Sequence, residues 1–505
     1  MGMFSEETVE KIPQALYVPA GEHDSGFKMT ARNAVKNILL IWTEFQIPNV
    51  NFIPLGFGYI SSNISEDYNT IVKDFFLDEY SDKILMQAVR ESDPLAIGIS
   101  LWEMNYQNVK NVVKKIKHIY KDIPIVIGGP SASSRKNSAL DDIGADFAIK
   151  GEGERSLTIL LDAIRAHKSG DHEALNRIPG LTYYDRHEQH YRSIPIAPID
   201  LENISRPDYK KIRLRDYLER GYEYGFFPGG IKNSPIVTTR GCPYQCEFCS
   251  ARSLHGSKVR TRPLESIFNE IEYLYNTYAI RGINIIDDNF TFHRDFVAAF
   301  CREALARRSR MPSLYFGLPN GIRMNTLDEE VLSLLREAGF ESITIAPESG
   351  SDRILKSMKK NITTKEIKTY VSLIKKYKFK LFAFFIIGYP GETVQDIKTT
   401  IHFACSLPFD QITFSPFTPL PGTPVHDKLI ERGEIDQAYV PDNYFHVTYA
   451  PAGITIRRMR ALFIYAMIRS LALSPKRLFN LLRSYSPRRI ASYLKSYLKN
   501  CNVSI

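Results

Sequence analysis

Residues 239–250 read TRGCPYQCEFCS and space three thiols, Cys242, Cys246 and Cys249, as C-x3-C-x2-C. They come directly after the strand-like IVTT (236–239), in a short loop bearing Gly241 and Pro243. Soft thiolate sulfur suits iron, and a three-cysteine iron–sulfur cluster leaves one iron free for an exogenous chelating ligand. The alternative is zinc held by three cysteines and a histidine, for which His255 is close enough in sequence. A (β/α) barrel places its chemistry in such loops, at the carboxyl ends of its strands.

Downstream, the pattern continues in that sense. After IVTTR come a helix over 264–278, the strand INIID, a helix over 294–309, LYFGL, a helix over 327–338, SITIAPE, a helix over 363–377, LFAFFIIG, a helix over 393–405, and QITFSPF. Six strands separated by helices predict a partial (β/α)6 TIM-type barrel over 235–425, with its chemistry at the carboxyl strand ends. Asp287, Asp288 and Asn289 end the second strand and offer acceptors for an ammonium group, or else cap the helix or turn after them. Arg323 follows the third strand and presents a fork of donors suited to a carboxylate, or is a surface arginine. Glu348 and Ser349 end the fourth; a glutamate there is costly to bury without a partner. Gly388-Tyr389-Pro390-Gly391-Glu392 ends the fifth, where glycine permits close backbone approach to a ligand or simply makes a tight turn. Cys301 and Cys405 lie in helical patterns among apolar residues and read as core.

Upstream, residues 34–170 alternate continuous apolar runs with helical patterns: AVKNILLIW, a helix over 54–62, LAIGISLW, 105–119, PIVIGGP, 132–143, DFAIKGEGE and 155–168. Such runs are buried on both faces, as in a doubly wound parallel sheet. Ligands of these sheets bind beyond the carboxyl strand ends, here Trp42–Thr43, Trp102–Glu103, Gly128–Ser131 and Gly151–Glu154. Residues 171–234 lose the rhythm and read as a linker; 426–505 read as a basic helical region.

Composition sets the outer limits. A chain of 505 residues with 44% hydrophobic and 24% charged residues predicts two or three globular domains, with no run long enough to span a bilayer. Six cysteines, none before residue 242, are too few for a disulfide framework and point to a reducing compartment, the cytoplasm; nothing at the N-terminus marks export. The net charge of +9 is concentrated in 451–505, which has eleven Lys or Arg and no acid, so a uniformly basic nucleic-acid surface is not expected. That tail interleaves apolar and basic residues at helical spacing; it either touches anionic membrane peripherally or packs on the barrel.

The cysteine spacing, with Phe248 before the last thiol, resembles the radical S-adenosylmethionine (SAM) superfamily over 235–425. The resemblance implies a [4Fe–4S] cluster on Cys242, Cys246 and Cys249 whose fourth iron is chelated by SAM and yields a 5′-deoxyadenosyl radical. It places Asp287-Asp288-Asn289 where the superfamily usually carries Gly-Gly-Glu, and sets Arg323, Glu348, Ser349, Gly388 and Tyr389 around SAM. A flavodoxin-like (Rossmann-like) domain ahead of such a barrel resembles the cobalamin-binding branch of the superfamily, which would set Trp102, Glu103, Ser131, Gly151 and Gly153 against the corrin. The Asp-x-His-x-x-Gly motif of many corrinoid proteins is absent. Implied with it are an electron donor such as flavodoxin or ferredoxin, and a small-molecule or lipid-like substrate methylated at an unactivated carbon. Two alternatives stay open: a non-methylating relative performing cyclisation, ring contraction or oxidation of a lipid, polyketide or tetrapyrrole, and a methylthiotransferase acting on transfer RNA. Methylthiotransferases carry three further cysteines in their N-terminal domain, and residues 1–241 have none.

Overall fold

Short apolar runs in the first third of the chain become five parallel strands: β1 Lys36–Trp42, β2 Tyr68–Asp74, β3 Ala96–Ser100, β4 Ile125–Gly128 and β5 Phe147–Ile149. Their order is β2-β1-β3-β4-β5. The computed structural model describes residues 34–45, 52–135, 137–166, 171–222, 231–437 and 446–472, with a few positions beside these. Alternate side chains of β1 enter two different cores: Ile38 and Leu40 share one with Leu157 and Leu160, while Leu39 and Ile41 share the other with Leu85 and Val109. The doubly wound expectation therefore holds, because a strand covered by helices on both sides must be apolar at every position.

Two parts of this region differ from the expectation. β2 and the helix Asp82–Ser92 occupy 64–94, where the pattern predicts no element. YNTIVKD mixes polar and apolar residues because β2 is an edge strand, paired only with β1. Residues 171–234 are more than a linker: β6 Leu181–Asp185 and β7 His190–Ser193 form an antiparallel hairpin that adds to β5 and makes the sheet seven-stranded. Its strands are short and β7 is largely exposed, so it has almost no hydrophobic signature. The segment's Tyr209 and Tyr217 are buried.

The second sheet begins with β8 Asn233–Ile236. IVTTR is not one strand, because Thr239–Arg240 (β9) turns away and pairs antiparallel with Arg260–Thr261 (β10). β11 Gly282–Ile285, β12 Tyr315–Ile322, β13 Phe340–Glu348, β14 Lys380–Ile387 and β15 Gln411–Pro416 follow, each parallel to its neighbour in the order β8-β11-β12-β13-β14-β15. The crossover helices Leu264–Tyr278, Arg294–Ala306, Glu329–Ala338, Thr364–Lys376 and Val394–Ser406 lie within a few residues of their predicted bounds. Capping residues mark several starts: Asp328, Thr363 and Thr393 each accept a backbone N–H of the first turn. The result is an open, six-stranded partial barrel. Cys301 is buried and Cys405 half-buried, both in helices.

The helix Ile456–Ala472 buries Met459, Leu462, Phe463 and Ala466 and packs against the helix Val394–Ser406 and β15. Most of the remaining basic tail lies outside the described residues. Among the described residues no helix is long and apolar enough to cross a membrane.

Candidate active site

The cysteine loop hangs from the carboxyl end of β8 and is tied down on every side. Gly241 precedes it with φ +104°, and a Cβ there would fall 2.2 Å from the Lys258 carbonyl oxygen, so only glycine lets the chain turn into the loop. Cys242 N–H donates to the Gly256 carbonyl (3.2 Å), and Glu247 N–H to the Met358 carbonyl (3.1 Å). Val425 N–H donates to the Glu247 carbonyl (3.1 Å). The Glu247 carboxylate, buried, pairs with Lys359 (2.5 Å) and Lys428 (2.8 Å). His255, the fourth ligand of the zinc alternative, holds Asp288 through Nδ1 (2.9 Å). Among the described residues no three His, Cys, Asp or Glu side chains are grouped as a single metal ion would require.

The three acidic or amide residues after β11 have three different fates. Asp287 turns back on its own sheet and accepts from the N–H groups of Thr238 (2.7 Å) and Thr239 (2.9 Å) and from both their hydroxyls. Burial pushes its carboxyl up to about 6, against the pull of those donors. Asp288 accepts from Gly241 N–H (3.2 Å) and meets His255, so it shapes the loop mouth. Asn289 is buried and its Nδ2 has no hydrogen-bond partner among the described residues. An orphaned buried amide donor is costly, and it fits a ligand carboxylate or carbonyl.

Arg323 stands beside it. Its Nη1 lies 3.5 Å from the Cys246 sulfur, Nη2 bonds the Lys360 carbonyl, and the guanidinium lies 3.9 Å above the Tyr244 ring. It belongs to the cysteine loop's surroundings and is not a stray surface charge. Glu348 ends β13 at φ +68° and pairs with Lys360 (3.1 Å). A small cavity beside Lys360 is lined by Arg323, Ala346, Lys360 and Ile362. Ser349 points elsewhere: its hydroxyl meets Thr400 Oγ1 (3.1 Å) on a barrel helix. Gly388 and Tyr389 give their N–H groups to Glu392 Oε2 (2.6 and 2.9 Å), closing the turn after β14, and the buried Tyr389 ring packs edge-on to Phe417. Three thiols, a guanidinium beside one of them and an unpaired amide donor together fit a cluster with a chelating amino-acid group.

The carboxyl edge of the first sheet is built differently. Trp102 is half-buried in an aromatic wall: its ring lies 6.4 Å from Trp42, 5.8 Å from Phe45 and 6.4 Å from Phe52, the last nearly parallel. Phe52 in turn meets Tyr224, whose hydroxyl donates to Asn320 of β12 (2.8 Å), so the wall reaches the barrel. Phe45, Phe52 and Tyr224 escape sequence reading because they sit outside strands and helices, the first two between β1 and the helix Leu55–Asn63 and the third far along the chain; only their common apolar aromatic character hints at them. Glu103 is engaged otherwise, in a two-pronged pair with Arg135 (2.9 and 2.6 Å). Ser131 is buried and its N–H donates to the Leu101 carbonyl (3.1 Å). Gly151 (φ +78°) gives its N–H to Ser133 Oγ (2.9 Å), and Gly153 begins the helix Gly153–Arg165. A broad apolar wall over glycine-rich strand ends fits a flat macrocycle.

Comparison with known proteins agrees with both halves. Residues 236–404 match the Radical SAM superfamily model and residues 49–161 the B12 binding domain model. An uncharacterized methyltransferase, PH0819, of Pyrococcus horikoshii is 27% identical over 73% of this chain and 77% of its own length. Cytidylyl-2-hydroxyethylphosphonate methyltransferase of Streptomyces wedmorensis is 24% identical over 80% of this chain and 82% of its own. The structure of the radical SAM methyltransferase TsrM of Kitasatospora setae, with cobalamin and a [4Fe–4S] cluster bound, shares the fold: TM-score 0.67, 18% identity, 87% of this chain and 91% of that one.

Proposed function

The chain belongs to the radical SAM superfamily and carries a B12 binding domain, and from that premise we propose that it is a cobalamin-dependent methyltransferase acting on an unactivated carbon of a small molecule. The observation that carries the reading is that the cysteine loop and the aromatic wall belong to sheets joined at their carboxyl edges, where Tyr224 bridges Phe52 and Asn320. Two dissimilar sites then share one space. When bound, the cluster with SAM supplies a 5′-deoxyadenosyl radical and cobalamin supplies a transferable methyl group.

In this reading Cys242, Cys246 and Cys249 hold the cluster. Asn289 Nδ2 and Arg323 hold the carboxylate of SAM, and Glu348, steadied by Lys360, faces its ribose. Asp287 ties Thr238 and Thr239, between β8 and the cysteine loop, to the end of β11, a supporting role. Trp102 with Phe45 and Phe52 shields the corrin from water. An aliphatic carbon has neither a lone pair nor an acidic proton, so direct polar attack on the SAM methyl is closed to it and a radical is required. Two SAM molecules are then consumed per product.

A one-electron donor such as flavodoxin or ferredoxin, and a cytoplasmic setting that keeps the thiols reduced, belong to the same proposal. So does peripheral membrane contact through the basic tail: Tyr465 and Ile468 are exposed on the outer face of Ile456–Ala472. Equal failure to float with anionic and neutral liposomes would exclude it. The central test is anaerobic reconstitution, which should yield about four irons per chain together with bound cobalamin. Reductant and SAM should then give 5′-deoxyadenosine, and once substrate is found, SAM with a deuterated methyl should label the product. Turnover giving deoxyadenosine and altered product, with neither label nor S-adenosylhomocysteine, would reject methyl transfer.

A further inference from the structure

The cysteine loop has a neck, and the neck is anchored to the other sheet. β9 and β10 form a two-residue ribbon in which Arg240 pairs across to Arg260, so everything from Gly241 to Val259, all three cysteines included, is an excursion closed by these two arginines. Neither arginine turns to solvent. Arg240 is buried and meets Glu154 (2.7 Å) and Glu152 (3.4 Å), with its guanidinium 4.9 Å over the Tyr59 ring. Arg260 grips Glu152 with both nitrogens (2.8 and 2.9 Å) and caps the Ile199 and His255 carbonyls. Next along β10, buried Arg262 bonds the Tyr59 hydroxyl (3.1 Å) and Glu270 (2.6 Å).

Glu152 and Glu154 flank Gly153 in the turn at the carboxyl end of β5, and Tyr59 lies on the helix that follows β1. All three therefore sit on the edge of the first sheet that carries the aromatic wall. Both glutamates are less than a tenth exposed. Removing such charges from water costs enough that a buried pair is poor evidence of added stability, whereas two-pronged arginine–carboxylate contacts fix distance and angle closely. A seam needed only for adhesion would be better made of leucine and phenylalanine. This one registers one edge against the other, only two residues before Cys242.

We propose that Arg240 and Arg260, clamped by Glu152 and Glu154, are positioning residues that fix the cluster loop at a set distance from the corrin-facing edge of the first sheet. The proposal rests on the two-cofactor reading above and deepens it: the first sheet contributes the anchor of the cluster loop as well as the corrin wall. Displacement of the loop would separate the two reacting centres while leaving every cofactor contact intact.

The test uses the full chain reconstituted with iron, sulfide and hydroxocobalamin, then reduced with dithionite. Electron paramagnetic resonance reads the magnetic interaction between the reduced cluster and cob(II)alamin, which depends on their separation and needs no substrate. Glu152→Gln with Glu154→Gln leaves two arginines without their carboxylates and should melt below wild type; in the folded protein it should keep wild-type iron and cobalamin, yet change that interaction and lower kcat for SAM cleavage by about tenfold or more at similar KM. Arg240→Lys, which keeps the charge but loses the planar fork, should shift the interaction part of the way. If the double variant does not fold, Glu154→Gln alone leaves Glu152 on both arginines and should show the same change in weaker form. An unchanged interaction and unchanged kcat in folded, loaded variants would overturn the clamp while leaving the two-cofactor reading intact. Wild-type protein that takes up iron but no cobalamin would overturn that reading instead; the line shape of the SAM-bound cluster would then report the clamp, and identity between wild type and variants would overturn it.

Discussion

At the carboxyl edge of the six-stranded sheet the chain gathers charge and sulfur: three thiols, Arg323 over Tyr244, the Glu348–Lys360 pair and the unpaired amide of Asn289. At the carboxyl edge of the seven-stranded sheet it gathers rings, Trp42, Phe45, Phe52 and Trp102, and turns its acids away toward Arg135, Arg240 and Arg260. In the proposed reading the difference teaches how two neighbouring edges can serve two cofactors. An ionic ligand is held by a few directional donors, so few residues suffice and each matters greatly. A large apolar ligand is held by area, so many residues share the work and each matters less.

The largest expected effect is on the polar edge. Replacing Cys242, Cys246 and Cys249 together with Ala should abolish both iron and SAM cleavage, while cobalamin uptake by the other edge survives; metal analysis and visible absorbance separate the two. Retained iron, or zinc in the native protein, would break the comparison outright. Arg323→Met comes next. Losing a charge-assisted contact of about 1.5–3 kcal/mol should lower kcat/KM for SAM cleavage roughly ten- to a hundredfold, with cobalamin unaffected.

Trp102→Ala tests the apolar edge in the opposite sense. Iron and SAM cleavage should stay, and cobalamin retention should weaken by roughly tenfold, the equivalent of about 1.4 kcal/mol of lost contact. An equal loss of iron would mean that the two edges are not separable.

The smallest effect is one of pH. Burial pushes the Glu392 carboxyl up to about 8, although the N–H groups of Tyr389 and Gly388 pull the other way, and its Oε1 has no partner among the described residues. Between the ordinary value of 4.5 and about 8 the folded protein holds a proton that the unfolded chain releases. Stability therefore falls as pH rises through that window. Glu392→Gln removes the ionisation, so it should melt a few degrees above wild type at pH 8.5 and level with it near pH 4.5 or below. Scanning calorimetry at both values checks this, and a constant difference would refute it.

The cysteine loop was legible because its chemistry is written in adjacent residues, and so was the Gly388–Glu392 turn. Strand ends were legible only as places. From DDNF alone, Asp287, Asp288 and Asn289 are three equivalent acceptors, and only the fold shows Thr238 and Thr239 on Asp287 and Asn289 Nδ2 without a partner among the described residues. The family resemblance sets Glu103 and Ser349 toward the cofactors, and in the fold their side chains hydrogen-bond Arg135 and Thr400, each on another element. The hairpin at 181–193 was missed because a short, half-exposed edge carries little hydrophobic signal.

What the amino-acid sequence determined by itself is whatever depends on neighbours along the chain: three thiols in one loop, the βα alternation of both halves, and helix starts at Thr363 and Thr393. What only the tertiary structure decided is which distant groups share a space. The aromatic wall draws on residues 42 to 224, and the clamp joins Glu152 and Glu154 to Arg240 and Arg260 across about a hundred residues. Local spacing fixes backbone hydrogen bonding and the face a side chain occupies. A buried charge or ring finds its partner only when separate elements pack, because only there does exclusion of water make that partner necessary.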